Sequence, residues 1–437
     1  MTNATRGCRW AAQCVGWIGG LTMTLAATAA PIDWPHFRFD EGHTGHNAVE
    51  QKLGPAKVPQ LQQAWAAQLG QLVFSSSPAV VDGVVYIGSI DGTLWAYPAK
   101  GCGQLLCTQP LWRSTSLAQI VDSPTVSNGI VYVGSQTSFD NNNGRLNAFA
   151  AAGCGQDVCA PLWQGKAGKE SILESSPVVA DGVVYIGAFD GRLYAFDAQG
   201  CGGAKLCDPL WTGRARGTIE STPLVAGGVV YVGADDGKLY AFDAAGCGAS
   251  SCEPLWTGKL PGPAFESSPA IVDGVVYIGA AHGLAAFDAA GCGASTCAAL
   301  WQAVDQNQFF GGSPAVADGR VFIGLESGLA VYDAAGCGKA RCPPLWLLFG
   351  PGFQAAIGSS PTVAHGVVYA GRNTGELLAW KAAPCGQVQC STIWSAMVRE
   401  AIVNSSPTVV NGRVYIGSAD NLAPEDSQGR LYVFELP

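Results

Sequence analysis

Three glutamates recur at one position of a repeated sequence pattern, and their spacing could bring carboxylates together. Glu174, Glu220 and Glu266 each lie three residues before a proline. Asp122 lies near the same position in the preceding repeat, and Asn404 occupies it in the last one. Converging carboxylates could hold a cation or sugar hydroxyls, and a pair about 5 to 10 Å apart across a groove could hydrolyse glycosidic bonds. The alternative is that each side chain caps backbone amides of its own loop.

Fourteen cysteines form seven close pairs, one in each of seven repeats. Disulfides and metal ligands are the two chemistries open to them. Structural zinc requires a second pair nearby, whereas these pairs are spread evenly along the chain, so local disulfides in an exported protein are predicted, each pinning its own hairpin. The pairs are Cys102/Cys107, Cys154/Cys159, Cys201/Cys207, Cys247/Cys252, Cys292/Cys297, Cys337/Cys342 and Cys385/Cys390.

Four phenylalanines in two irregular loops could form an apolar patch for a protein or peptide. They are Phe309, Phe310, Phe349 and Phe353. The alternative is that these aromatic rings fold back over their own part of the fold. No Ser-His-Asp arrangement, phosphate-binding glycine loop or metal-ligand spacing stands out, so no catalytic residue is assigned.

The elements that position these residues come from eight repeats, which begin at a Ser/Thr-Pro step 45 to 53 residues apart. The prolines are Pro78, Pro124, Pro177, Pro223, Pro269, Pro314, Pro361 and Pro407. Each repeat predicts strand A after the proline, an Asp-Gly-type hairpin turn, an apolar strand B, an alternating strand C and, after the cysteine pair, a strand D that carries a tryptophan. The Ser or Thr before each proline is predicted to bond backbone at the start of strand A.

The last repeat has no strand D of its own, and Trp65 within residues 61–70 supplies the matching pattern ahead of the first repeat. We therefore predict an all-β fold: an eight-bladed β-propeller of four-stranded antiparallel blades over residues 61–437, closed by an N-terminal strand that completes the last blade. Strand direction puts the A–B and C–D loops on one face and the B–C and D–A loops on the other, which we call the loop face. The loop face is the more irregular and is the predicted binding surface.

Residues 1–30 are predicted to be a signal peptide, because Arg6 and Arg9 precede an apolar run and small residues. A retained anchor or lipid is the alternative. Residues 31–60 form a lead-in that contains His36, His43 and His46; a cap across the propeller is favoured over a metal site. The formal charge of −9, with no basic run, argues against nucleic acid as a partner.

The S-S-P, V-x-G-V-V-Y-I-G, D-G-x-L-Y-A-F-D and L-W-T-G motifs resemble the repeats of bacterial PQQ-like (quinoprotein-type) β-propellers, and the lead-in DWPHFR at residues 33–38 resembles the segment that opens many of them. That family includes PQQ-dependent alcohol and sugar dehydrogenases and a non-enzymatic propeller of the outer-membrane protein assembly machinery. The dehydrogenases hold the quinone between a tryptophan and a disulfide of adjacent cysteines, beside calcium. Here no two cysteines are adjacent.

The resemblance therefore favours an exported, periplasmic or extracellular, non-enzymatic propeller without a cofactor and without stable membrane insertion. Its expected partner is a protein, peptide or glycan at the loop face. The alternative is a PQQ- and Ca²⁺-dependent oxidoreductase acting on an alcohol or sugar.

Overall fold

The computed structural model describes residues 32–437 except 137–143, 169–171, 173, 307, 327, 350–356, 399–400, 403 and 420–428. The predicted signal peptide and Phe353 lie outside these described residues. Nearly all regular structure in them is β-strand, and no described helix is long and apolar enough to cross a membrane.

The strands follow the repeats in chain order. The lead-in and repeat 1 contain β1 (His46–Asn47), a 3-10 helix (Val58–Gln60), β2 (Gln62–Gln68), β3 (Ala79–Val81), β4 (Val84–Ser89), β5 (Thr93–Pro98), β6 (Leu106–Cys107) and β7 (Trp112–Ser114). Repeat 2 contains β8 (Thr125–Ser127), β9 (Ile130–Ser135), β10 (Arg145–Ala150), β11 (Val158–Cys159) and β12 (Trp163–Lys166). Repeat 3 contains β13 (Val178–Ala180), β14 (Val183–Gly187), β15 (Arg192–Asp197), β16 (Leu206–Cys207) and β17 (Trp211–Arg214).

The second half of the chain repeats the same order. Repeat 4 contains β18 (Leu224–Ala226), β19 (Val229–Ala234), β20 (Lys238–Asp243), β21 (Ser251–Cys252) and β22 (Trp256–Lys259). Repeat 5 contains β23 (Ala270–Val272), β24 (Val275–Ala280), β25 (Gly283–Asp288), β26 (Thr296–Cys297) and β27 (Trp301–Val304). Repeat 6 contains β28 (Phe310–Ala317), β29 (Arg320–Leu325), β30 (Gly328–Asp333) and β31 (Trp346–Phe349). Repeat 7 contains β32 (Thr362–Ala364), β33 (Val367–Gly371), β34 (Glu376–Lys381), β35 (Gln389–Ser391) and β36 (Trp394–Met397), and repeat 8 contains β37 (Thr408–Val410), β38 (Arg413–Ser418) and β39 (Arg430–Glu435).

These strands form eight sheets, which confirms the predicted eight-bladed β-propeller. Strands A to D of each repeat pair antiparallel from the inside outward, and β2 completes blade 8 by pairing antiparallel with β39. In that pairing Trp65 lies opposite Val433. The Asp-Gly turns have the backbone that a tight hairpin needs, as in Asp273 (φ 50°) and Gly274 (φ 76°).

The prediction of four strands per blade misses a fifth strand in most blades. The disulfide loop of each repeat reaches back and, in most cases, lays a two- or three-residue strand parallel to strand D of the preceding blade, as β11 does on β7. All seven predicted disulfides join the cysteines as paired above.

The two cysteines of each disulfide differ in burial, which adds a contact with the neighbouring blade to the predicted pinning of each hairpin. The first cysteine of every pair is exposed, whereas the second is at most 8% exposed. Cys342 packs in the core cluster between blades 5 and 6, and Cys390 packs in the one between blades 6 and 7. The physical reason is the backward reach of the loop, which carries its second cysteine onto the neighbouring blade. Each bonded loop therefore holds two blades together as well as closing its own hairpin. The buried cysteines are Cys107, Cys159, Cys207, Cys252, Cys297, Cys342 and Cys390.

The apolar core lies between blades and is bridged by the strand D tryptophans. Trp256 of blade 4, for example, packs in one buried cluster with Phe287 and Cys297 of blade 5. The loop of blade 5 crosses the tryptophan ring at Gly291, where an added Cβ would come within 2.7 Å of the ring and where φ is 76°. Glycine is therefore required there both for the approach and for the backbone conformation.

Candidate functional site at the mouth of the central channel

The inner end of every blade is joined to the next by a ring of hydroxyl groups. In each repeat the amide of the Ser or Thr before the proline donates to the hydroxyl oxygen of its counterpart in the following blade, at 2.8 to 3.1 Å. The hydroxyl ring consists of Ser77, Ser123, Ser176, Thr222, Ser268, Ser313, Ser360 and Ser406. It closes where Ser406 donates to Ser77 at 2.9 Å. The predicted structural role of these residues is confirmed.

Asp122 belongs to a neighbouring row of residues, one position before the hydroxyl ring. In most blades a serine there accepts a hydrogen bond from a strand B glycine, as Ser175 does from Gly187 at 2.8 Å. Asp122 replaces that serine and accepts from the amide of Gly134 at 2.6 Å. Burial raises the pKa of Asp122 well above its usual value. The structure therefore separates Asp122 from the channel mouth and gives it a local contact inside blade 2.

Glu174, Glu266 and Asn404 come together across the mouth of the channel on the loop face, although they belong to blades 3, 5 and 8. The carboxyl groups of Glu174 and Glu266 hydrogen-bond to each other. The amide nitrogen of Asn404 donates to Oε2 of Glu266 at 2.5 Å. Ser75 of blade 1, at the equivalent position, donates its hydroxyl to Oε1 of Glu174 at 3.3 Å. These bonds run between blades, so the side chains close the mouth.

The backbone at these positions lies in the left-handed region. The φ angles are 61° at Ser75, 65° at Glu174, 53° at Glu266 and 56° at Asn404. Residues other than glycine adopt this conformation at a cost of about 1 kcal/mol or more each. Four such residues surround one opening, so the position of their side chains is maintained at a cost in backbone conformational energy.

The environment of the mouth raises the pKa values of its carboxyl groups. Burial, followed by the charge of Glu266, raises the pKa of Glu174, and burial also raises the pKa of Glu266. Burial and the nearby charges of Asp235 and Glu266 raise the pKa of Glu220 to about 7. The mutual hydrogen bond also raises the pKa of Glu174, so the pair retains a proton to higher pH than an isolated glutamate does.

Beneath the mouth lies a small cavity of about 30 Å³. Its lining includes hydroxyl-ring residues, Glu174, Glu266, Asn404 and the ring of Phe37. A cavity of roughly 10 to 15 Å³ is enough to hold a water molecule. The described residues thus leave room for water between the mouth and the lead-in.

The lead-in closes the opposite side of the channel and inserts Arg38. Its backbone bonds the inner strands of several blades, including Trp34 to Val80 and Gly45 to Val363. The guanidinium of Arg38 donates to the carbonyl oxygens of Pro361 at 2.6 Å and Pro314 at 2.8 Å. Arg38 is 2% exposed, and burial lowers its pKa to about 9.

The lead-in histidines do not gather a ligand set. The rings of His36 and His43 lie 5.6 Å apart between centroids, and burial lowers the pKa of both. No group of three or more His, Cys, Asp or Glu side chains with metal-binding geometry occurs in the described ranges. These histidines pack as neutral rings.

The predicted phenylalanine patch is divided between surface and core. Phe309 is 42% exposed, whereas Phe310 is 3% exposed and packs in the core between blades 5 and 6. Phe349 is half-buried in β31. Two phenylalanines that sequence reasoning missed are exposed on the same face, Phe74 at 36% and Phe265 at 41%. Both stand four residues before a repeat proline, and that shared position was the available signal.

The chain is similar to one protein family both in sequence and in fold. The profile of the family described as outer membrane protein assembly factor BamB matches residues 60–201 and 160–335. BamB from Moraxella catarrhalis is similar in structure, with 17% identity and a TM-score of 0.57 over 86% of this chain and 99% of that one. No curated protein matches the chain.

Dehydrogenases are also among the similar structures. The quinohemoprotein alcohol dehydrogenase from Comamonas testosteroni has 16% identity and a TM-score of 0.64, covering 94% of this chain and 81% of that one. A europium-containing methanol dehydrogenase has 13% identity and the same TM-score, covering 93% and 99%. At these identities the likeness concerns the fold alone.

Proposed function

Because the chain belongs to the family described as outer membrane protein assembly factor BamB, a family of PQQ-like β-propellers, we propose that it binds a protein partner through its loop face. The supporting observation is the arrangement at the channel mouth. The exposed Phe265 directly precedes Glu266 in its D–A loop, Phe74 directly precedes Ser75 in another, and Phe309 is exposed in the D–A loop before blade 6. Aromatic anchors on loops held by a rigid frame are typical of protein interfaces.

The net charge of the chain favours a basic partner surface, because the formal charge is −9. Complementary charge accelerates association and selects among partners. Seven disulfides and the family favour an exported protein that works in the periplasm or outside the cell.

The alternative, an oxidoreductase that uses PQQ, has less support from the residues present. Ligand sites for molecules of that class have volumes of about 300 to 1,000 Å³, against about 30 Å³ for the central cavity. No two cysteines are adjacent, and eight tryptophans lie on strand D of their blades, on the outer side of the sheet and away from the channel. Among the described residues, neither a tryptophan ring nor a disulfide that could hold a quinone lies at the channel, so we derive no step through that group.

Site-specific photo-crosslinking in the cells that export the protein tests the proposal. A photoreactive residue replaces Phe265 or Phe309 on the loop face. The matched control replaces Leu255, which is 53% exposed in a disulfide loop on the opposite face. Discrete adducts with a protein at the first two positions but not at the third are expected. Equal labelling at all three positions, or none, contradicts the proposal.

A second measurement tests the oxidoreductase alternative. Purified protein is mixed with PQQ and Ca²⁺, and reduction of a dye is followed with alcohols and sugars as substrates. Saturable turnover would contradict the proposal. The expected outcome is no turnover above that of the same mixture without the protein.

A further inference from the structure

The outer edges of seven blades are covered in the same way by the disulfide loop of the next blade. In each, the residue after the strand D tryptophan donates its backbone amide outward to a loop carbonyl, at 2.8 to 3.0 Å. The seven donors are Ala66, Arg113, Gln164, Thr212, Thr257, Gln302 and Leu347. An extended segment running parallel to strand D is thus the regular occupant of this edge.

Blade 7 is the exception, because blade 8 has no C–D loop: its strand C is β39 and its strand D is β2. Ser395 follows the tryptophan of β36, and its amide has no backbone partner within the described parts of the chain. Part of the missing loop is replaced by the lead-in. Trp394 donates to the carbonyl of Leu61 at 3.1 Å and Tyr369 to that of Leu53 at 3.4 Å, where other blades use the next loop.

The lead-in does not cover strand β36 itself. The lead-in satisfies the two side chains but pairs with no residue of β36. In consequence Ser395 is exposed and Trp394 is half-buried, whereas in the other blades the strand D tryptophan is buried and the residue after it is buried or half-buried. Met397 is 65% exposed. Natural proteins commonly protect open edges with Lys, Pro or a bulge. The sequence of β36, Trp-Ser-Ala-Met, has none of these residues.

A groove of about 400 Å³ lies beside this edge, between blades 7 and 8. Met397, Leu105 and Leu106 give its lining an apolar part, and Gln63, Arg430 and Tyr432 give it a polar part. Leu105 is 72% exposed and Leu106 is 36% exposed. The groove is large enough to receive side chains of a segment placed on β36.

We propose that the outer edge of blade 7, residues Trp394–Met397, binds an extended segment of a partner protein as an added parallel strand. A carbonyl of that segment accepts the amide of Ser395, as the carbonyl of Val388 accepts that of Leu347 at 2.9 Å in blade 6. An apolar side chain of the same segment enters the groove beside Met397. Strand addition of this kind takes its affinity from backbone bonds and its specificity from pockets for alternate side chains. The site is separate from the loop face and does not depend on the function proposed there.

The chain supplies its own probe for this edge. The loop that covers blade 6 forms three pairs with β31, more than the two formed by the other disulfide-loop strands. A fluorescein-labelled, disulfide-closed peptide of residues 382–392 therefore carries the backbone pattern that the edge of blade 7 lacks. Its fluorescence anisotropy is measured against increasing concentrations of the purified protein.

Three variants assign the binding to the edge. Ser395→Pro removes the outward amide at an edge position where proline is tolerated and is expected to weaken binding about tenfold. Ser395→Ala keeps the amide and is the matched control, with unchanged affinity expected. Met397→Lys places a charge in the groove without altering the core and is expected to weaken binding as well. Circular dichroism and the midpoint of thermal unfolding establish that each variant is folded.

Each outcome decides the matter. Saturable binding that Ser395→Pro and Met397→Lys weaken, and Ser395→Ala does not, supports the proposal. Absence of saturation up to about 1 mM protein, a ceiling that corresponds to roughly −4 kcal/mol, overturns it, as does equal affinity for the three variants. A concentration-dependent dimer in sedimentation that Ser395→Pro abolishes would assign the edge to a second copy of this chain and overturn the assignment to a different protein.

Discussion

Trp65, near the start of the described chain, lies opposite Val433 in the last strand, and this pairing closes the propeller. The indole is 3% exposed and packs in a cluster that joins blade 8 to blade 1. Closure therefore depends on a contact between residues that are almost as far apart in sequence as the described chain allows.

Replacement of Trp65 by alanine is expected to lower the free energy of unfolding by about 3 to 5 kcal/mol, because it leaves a cavity at the closing seam. Urea unfolding followed by circular dichroism measures it. Gln63→Ala on the same strand is the control, since Gln63 is exposed and its loss should change the free energy by less than about 0.5 kcal/mol. Similar effects of the two substitutions would contradict a closing role for the tryptophan.

Removal of single disulfides is expected to be costly and unequal. The pairs Cys385/Cys390 and Cys337/Cys342 have the same sequence separation of 5, so the chain-entropy contribution of about 2 kcal/mol is the same for both. The first loop forms three strand pairs with its neighbour, and the second forms one isolated bridge, Gln302 to Arg341. Replacing both cysteines by serine should therefore lower the unfolding midpoint more at Cys385/Cys390.

The measurement is thermal unfolding of the two double variants beside the parent protein. The opposite order, or equal losses, would mean that the loops stabilise only their own hairpins and contribute nothing across blades.

Stability is expected to fall as pH rises through the neutral range, on account of Glu174. Its pKa in the folded protein is raised above the usual value of 4.5, so the folded state binds more protons than the unfolded state above that pH. The stabilisation of the folded state by Glu174 is fully present below about pH 4.5 and is lost as the pH rises toward the raised pKa. Glu174→Gln keeps a donor for Glu266 and should flatten the dependence of the unfolding midpoint on pH between about 5 and 9.

Glu220→Gln is the matched comparison for that experiment. The pKa of Glu220 is raised to about 7. The loss of stability that Glu220 causes as the pH rises should therefore be complete near neutral pH. A parent protein whose midpoint rises between about pH 5 and 9, with Glu174→Gln unchanged from it, would refute the protonated pair.

Arg38→Met is expected to lower the free energy of unfolding by about 2 kcal/mol or more, because the buried carbonyls of Pro314 and Pro361 lose a charged donor. Arg192→Met is the control, since the side chain of Arg192 is 48% exposed and its nearest ion-pair contact is 3.8 Å. Urea unfolding compares the two. An effect of Arg38→Met no larger than that of the control would show that the closure of the channel by the lead-in does not depend on the guanidinium.

Much of the fold could be predicted because its signals are local and repeated. The proline steps, the Asp273-Gly274 turn and the tryptophan of each strand D define a blade within one repeat, and Trp65 without a repeat of its own indicates closure. The fifth strands were missed because two residues beside a cysteine, such as Val158–Cys159, have no periodicity to read.

The candidate site could be predicted only in part. The shared position of Glu174 and Glu266 placed them on one face, but their mutual hydrogen bond depends on the diameter of the ring, which no repeat encodes alone. Arg38 gave no signal, because a single arginine in an irregular segment looks the same whether it is solvated or buried. The burial of Phe310 was likewise invisible, since Phe309 beside it has the same side chain and is 42% exposed.

The backward reach of each disulfide loop also affects how such a protein could grow. A repeat copied in tandem would bring along the cover for the blade before it, while its own edge would be covered by the repeat that follows, so every internal seam would be sealed at once. The seam between blades 7 and 8 is the one place where that inheritance is broken within the described chain. A copied repeat would therefore not supply the cover for this seam, which depends instead on lead-in residues such as Leu53 and Leu61.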